Sequence, residues 1–171
     1  KVLTILENNN FKPIATNKEN FEKTIISNSI KDTKDLGICI GKIIKDGDSI
    51  LLSGDLGAGK TELVRYIVEG SGNDSFVRSP TFVLINNYSG KKNITHCDFY
   101  RIDLGAEVEE IGIEEYYENS TVIIEWPEKI INNLPSDSVI VKILFTENEG
   151  QRKIMLYSTG SKSKKFINKI K

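Results

Sequence analysis

Short, wholly apolar runs alternate with longer amphipathic ones along this chain. Ser49–Ser53 reads SILLS and 121–126 reads TVIIEW, compact blocks of the kind needed by a strand buried on both faces of a parallel sheet. The run 21–27, FEKTIIS, also predicts a strand. After it, Leu36, Ile40, Ile43 and Ile44 fall at helical spacing, with Asp32 or Thr33 as the expected N-cap and Gly47 as terminator. Leu63, Ile67 and Val68 recur about one turn apart up to Gly70, predicting an amphipathic helix directly behind a glycine-rich turn.

Further on, TFVLINNY (81–88) and NITHCDFY (93–100) flank Ser89-Gly90-Lys91-Lys92 and predict a hairpin. The stretch 106–119 is Glu-rich and is expected to be helical in part. SVIVKILF (138–145) and KIMLYS (153–158) predict a second hairpin near the end of the chain. The organisation read from these patterns is a flexible, Asn-rich lead-in over 1–20, one domain over 21–160 and a basic tail over 161–171, for which a solvated, disordered end is the expectation. The sum is a single mixed α/β layer fold.

Composition narrows the function. With 171 residues, the chain carries 23 Lys and Arg against 24 Asp and Glu, a formal net charge of -1, so no global positive field recruits nucleic acid. Direct RNA binding as the main role and DNA binding are not expected. A chain of this length removes roughly 70% of its unfolded surface on folding and needs no staples. Cys39 and Cys97 lie far apart, which fits a reduced, cytoplasmic compartment rather than a disulfide framework. No apolar run approaches the roughly 20 residues of a spanning helix, so no membrane association is expected. Lys1 in place of Met suggests a segment taken from a longer chain.

Gly54-Asp55-Leu56-Gly57-Ala58-Gly59-Lys60-Thr61 matches GxxxxGK[ST] at every fixed position and lies between a predicted strand and a predicted helix. Glycines let successive amides turn inward as an anion nest continuous with the positive end of the helix. Lys60 is expected to reach the β and γ phosphates, and the Thr61 hydroxyl to ligate Mg²⁺. A phosphate loop of this type also needs an acid at the end of a neighbouring strand, and both Asp98 and Glu125 qualify. Glu125, directly behind Val122-Ile123-Ile124, is favoured as the Mg²⁺-side acid because a buried charge there is costly without a cation.

Asp98 is read as orienting the attacking water or holding a loop, with a structural pair to Arg101 as the bland alternative. Ser79-Pro80-Thr81-Phe82 is a candidate γ-phosphate switch or a plain strand-start turn. His96, the only histidine, shares the strand face of Asp98 and is either a relay or a structural residue. Trp126 is placed near the nucleotide or in rim packing.

GDLGAGKT, SPTF, HCDFYR and IIEWPE stand in the order and approximate spacing of the TsaE family of bacterial P-loop ATPases, which this chain resembles over roughly 30–155. The resemblance implies a P-loop NTPase-like three-layer fold, with a central mixed, mostly parallel sheet and a C-terminal β-hairpin. It further implies an ATPase supporting threonylcarbamoyladenosine formation in tRNA by acting on the proteins TsaD and TsaB, with tRNA met only through that complex. ATP and Mg²⁺ are the implied cofactors. Carried over by position, Leu56, Gly57, Ala58, Gly59, Lys60 and Thr61 contact phosphate, Thr61 and Glu125 hold Mg²⁺, and Asp98 is the acid of the hydrolysis site. Lys60 joins Asp98 and Glu125 as a catalytic candidate, Thr33 lies near the adenine side, and Arg152 stands for the family's Gly-Arg pair, here separated by Gln151.

Two other readings share the phosphate loop. A small-molecule kinase would need a lid rich in arginine, whereas the chain has only Arg65, Arg78, Arg101 and Arg152. A nucleotide-gated assembly module would use ATP to control association with partners, with hydrolysis as a reset. The Glu-rich segment 107–118 would suit a basic partner surface or be a solvated acidic face, and the lysines of the tail would add salt-sensitive contact to RNA or remain solvated.

Overall fold

Ser29, rather than Asp32 or Thr33, starts the first helix: its hydroxyl accepts the Asp32 amide at 3.3 Å, while the Asp32 carboxylate accepts the Asn28 amide at 2.8 Å. Asp32 thus sits one turn inside the helix and closes its entry, a reciprocal arrangement that satisfies two amides at once. The computed structural model describes residues 20–102 and 111–171. The elements are β1 (Asn20–Ser27), α1 (Ile30–Ile43), β2 (Ser49–Ser53), α2 (Lys60–Gly70), β3 (Ile85–Tyr88), β4 (Ile94–Asp98), β5 (Thr121–Glu125), β6 (Val139–Phe145), β7 (Arg152–Ser158) and α3 (Ser161–Ile167). A 3-10 turn, Ile113–Tyr116, precedes β5, and a 3-10 stretch kinked at Ile130, Pro127–Asn133, follows it. The lead-in 1–19 and residues 103–110 of the acidic stretch lie outside the described residues.

The strands form one sheet in the order β1-β7-β6-β2-β5-β4-β3. Its centre, β6-β2-β5-β4, is parallel, and β3, β7 and β1 add antiparallel edges. This is the expected mixed sheet with its β6–β7 hairpin. Alternate residues sort to two cores: Ile50, Leu52, Ile123, Val139 and Val141 face the helices, while Leu51, Val122, Ile124 and Ile140 face Phe99, Ile113 and Ile130. The period-2 alternation of the strand produces both layers from one sequence run.

α1 and α2 approach closely because glycine stands at the crossing. A Cβ at Gly41 would lie 2.2 Å from the Ile67 carbonyl oxygen, one at Gly37 2.4 Å from Tyr66 Cβ, and one at Gly70 2.5 Å from the Ile38 carbonyl oxygen. The helix that begins at the phosphate loop is therefore pinned along its length.

Besides its start, the end of the first helix differs: α1 stops at Ile43 with Ile44 as its C-cap rather than at Gly47. Two further expectations change. Residues 81–84 form a turn rather than strand: the amides of Val83 and Leu84 both donate to the Pro80 carbonyl, and Leu84 has a φ of 66°. The tail is likewise not a solvated end. Its residues 161–167 form α3, and Phe166, Ile167 and Ile170 enter the helix-side core. Asp137 fixes the start of α3 by accepting the amides of Lys162 (2.8 Å) and Ser163 (2.9 Å), and Lys162 reaches Asp48 at 3.2 Å. The lysines occupy the outer face of a packed helix.

Candidate functional site

The C-terminal ends of β2, β5 and β4 deliver the phosphate loop, Glu125 and Asp98 to one edge of the sheet. The loop turns through left-handed backbone at Gly57 (φ 78°) and Gly59 (φ 107°), and beyond the immediately adjoining residues no heavy atom lies within 4 Å of a Cβ placed at either. Both the conformation and the open space suit a group that approaches the backbone itself. The Ala58 amide closes the turn onto the Asp55 carbonyl at 3.1 Å.

Lys60 is 5% exposed, and its ammonium donates to the carbonyls of Gly54 (2.6 Å) and Asp55 (2.9 Å). It also lies 4.0 Å from the centre of the Trp126 ring, which in turn packs against Tyr100. Burial lowers the Lys60 pKa below its usual range, against the pull of Glu125, Glu128, Asp98 and Asp55. An anion at the loop would favour the charged form.

Thr61, the next residue, donates its hydroxyl to both Glu125 oxygens, at 2.8 and 3.1 Å. Sequence separation of 64 residues is bridged here because β5 lies beside β2 in the sheet. One hydroxyl and one carboxylate form a hard oxygen pair suited to Mg²⁺, which keeps water and substrate oxygens as its other ligands. Among the described residues no group of three or more His, Cys, Asp or Glu is placed to hold a metal alone, so such an ion would depend on the phosphates for its shell.

Asp98 binds the turn that precedes β3. Its Oδ2 accepts from Ser79 Oγ at 2.9 Å and from the Thr81 hydroxyl, and its Oδ1 accepts the Tyr100 amide at 3.0 Å. SPTF is thereby tied to the carboxylate. The Arg101 guanidinium does not pair with Asp98 but lies 3.9 Å from the centre of the Phe82 ring. His96 turns to Glu125 rather than Asp98, with Nε2 2.9 Å from Oε1.

A cavity of about 230 Å³ is lined by Lys60, Thr61, Asp98, Glu125, Tyr100 and Trp126. A second, of about 320 Å³, lies on the other side of the loop against Thr33, Ala58, Ile143, Arg152 and Ile154. Gly59 and Glu62 line both. Leu56 to Thr61, Asp98, Glu125, Thr33 and Arg152 each line at least one of these two spaces, Leu56 at 69% exposure in the first, whereas His96, Phe82 and Arg101 line neither. Arg152 holds the loop from behind, its Nε donating to the Ala58 carbonyl at 3.1 Å. Sequence reading missed Asn28, Ser29, Ile30, Glu62, Tyr100, Ile143 and Ile154 as lining residues. Only Tyr100, next to the HCDF run, carried a local signal.

The family model "Threonylcarbamoyl adenosine biosynthesis protein TsaE" matches residues 27–154. The chain is 38% identical over 123 residues to the tRNA threonylcarbamoyladenosine biosynthesis protein TsaE of Rickettsia prowazekii, covering 71% of this chain and 85% of that one. To the protein of the same name from Treponema pallidum it is 33% identical over 119 residues, 69% and 88% of the two chains. The Bacillus subtilis protein of that name is 32% identical over 134 residues, 77% and 83%. In fold, the crystal structure of Bacillus subtilis YdiB superposes with a TM-score of 0.78 at 24% identity, over 91% of this chain and 97% of that one.

Proposed function

The chain belongs to the TsaE family of threonylcarbamoyl adenosine biosynthesis proteins, and from that premise we propose that it binds and hydrolyses ATP in support of tRNA threonylcarbamoyladenosine formation. It acts on a TsaD–TsaB complex in the cytoplasm and leaves the carbamoyl transfer to that complex. The observation that carries this reading is the joining of Thr61 to Glu125 across the sheet, beside Lys60 and with Asp98 on the next strand. No helix among the described residues is long and apolar enough to cross a membrane.

The loop amides and Lys60 take the phosphates, with the purine nucleoside in the cavity beside Thr33 and Arg152. Mg²⁺ held by Thr61 and Glu125 would neutralise charge on the phosphate oxygens. Asp98 faces the same space and orients a water for attack on the γ-phosphorus. The bond to the bridging oxygen breaks, ADP leaves with that electron pair, and the water's proton passes to the released phosphate or through Asp98. Trp126 and Tyr100, packed on each other, form one wall of this space.

A second reading, an assembly gate with little hydrolysis of its own, draws on the Asp98 bonds to Ser79 and Thr81. A group entering between them would free or fix the turn that carries exposed Phe82 and Val83. Reconstitution of the chain with TsaD and TsaB of the same source tests both. ATP-dependent association with phosphate release and tRNA modification is expected. Association and modification without phosphate release would select the gate, and the absence of all three would refute the family-based role.

A further inference from the structure

His96 is fully buried, 0% exposed, in the middle of β4. Its Nε2 lies 2.9 Å from Glu125 Oε1, and its Nδ1 is buried without a hydrogen-bond partner. The Tyr88 ring stacks on one side of the imidazole, with centroids 6.3 Å apart. A buried N–H left without an acceptor costs more than a bare ring nitrogen. The proton is therefore assigned to Nε2, and His96 donates to the Glu125 carboxyl oxygen.

The strand register brings the two side chains within reach of each other. His96 pairs with Ile123 and Asp98 with Glu125, so Glu125 lies one same-face position beyond the residue opposite His96, within reach of a long side chain. Glu125 Oε1 consequently receives two donors, the Thr61 hydroxyl at 2.8 Å and His96 at 2.9 Å. These two differ in kind. A Thr61 oxygen that turns to a cation no longer directs its proton at Glu125, whereas the His96 bond is untouched by that change.

We propose that His96 is a positioning residue for the cation site: its Nε2–H holds the Glu125 carboxylate in the orientation that meets Thr61. This inference rests on the proposed nucleotide and Mg²⁺ site. The imidazole contributes through the geometry of Glu125 alone and touches neither nucleotide nor cation. Outer hydrogen bonds of this type commonly set metal affinity by about 10- to 100-fold.

The test is Mn²⁺ binding to the full chain in the presence of ADP, read by electron paramagnetic resonance, beside ADP affinity in excess EDTA. His96→Phe keeps the ring and its packing on Tyr88 but removes the donor, and should weaken Mn²⁺ binding about tenfold while leaving metal-free ADP affinity within about twofold. His96→Gln, whose amide nitrogen reaches as far as Nε2, should restore most of the loss. His96→Asn, chemically the same but shorter, should not, and this pair decides the matter if the Phe variant fails to fold. Equal Mn²⁺ affinity in wild type, Gln and Asn variants would overturn the proposal. Absence of Mn²⁺–ADP binding by the wild-type chain would instead overturn the site on which it rests.

Discussion

Asp98 and Glu125 stand directly opposite each other on adjacent parallel strands, yet each carboxylate binds a different part of the molecule. Asp98 takes the hydroxyls of the turn before β3, and Glu125 takes Thr61 and His96. Two buried acids side by side repel unless donors serve each separately, and here the donors do so.

That division predicts different losses. Asp98→Asn should lower partner-stimulated ATP hydrolysis by about 100-fold, the lower range for a proton-handling group, with ADP affinity retained. Glu125→Gln should instead raise the Mg²⁺ concentration needed for half-maximal activity. Steady-state assays across a Mg²⁺ series separate the two, and a shared effect on metal requirement alone would remove Asp98 from the hydrolysis site.

Burial lowers the Lys60 pKa from 10.5, and four carboxylates only partly oppose it. Bound phosphate favours the charged ammonium, so ADP affinity should decline as pH rises through this lowered pKa, earlier than an ordinary lysine would allow. The free protein shows the reverse sign: its folded pKa lies below the unfolded one, so stability rises with pH across the interval between them. Calorimetric ADP titrations from neutral to alkaline pH, in buffers of different ionisation enthalpy, would reveal the accompanying proton uptake. Lys60→Met should abolish that uptake.

The α1–α2 crossing leaves no room for a methyl group. Gly41→Ala should cost about 1–3 kcal/mol, the usual range for overpacking, despite alanine's better helix propensity. Urea unfolding checks this. Because α2 starts at Lys60, displacement of the helix should also weaken ADP binding, and unchanged affinity in a destabilised variant would show that the loop is insulated from the crossing.

At the opposite end of the sheet, Phe166→Ala should destabilise by about 3 kcal/mol, a typical cost for a buried aromatic. Asp137→Ala should cost about 1 kcal/mol through loss of the cap. Although burial pushes the Asp137 carboxyl up, the Ser163 and Lys162 hydrogen bonds together hold it below 3.8. A lowered folded pKa gives stability that is present above the unfolded pKa and lost as pH falls through the folded one. The gap between wild type and Asp137→Ala should therefore shrink in strong acid, as thermal melts would show.

The phosphate loop and its strand and helix were legible because pattern and context coincide within 49–70, a single continuous stretch of sequence. Glu125 was readable from its place after three apolar residues. The partners of His96 and Arg101 were not, since both depend on register and on a turn geometry that no local pattern encodes. α3 was hidden by its lysines, although Phe166, Ile167 and Ile170 already carried an apolar stripe. Ser29 was overlooked because Asp32, equally a capping residue type, sits closer to the apolar periodicity.

The last helix and the first strand are also joined to each other. Lys23 Nζ donates to the Ile170 carbonyl at 2.9 Å, Glu22 lies 3.7 Å from Lys164, and Asn20 pairs with Ser158. Both ends of the described fold thus emerge at one corner of the sheet. Tension applied between Asn20 and Lys171 would peel β1 from β7 one hydrogen bond at a time instead of shearing the parallel centre. A tether on the Asn20 end would load this outer strand first, with three strands between it and β5.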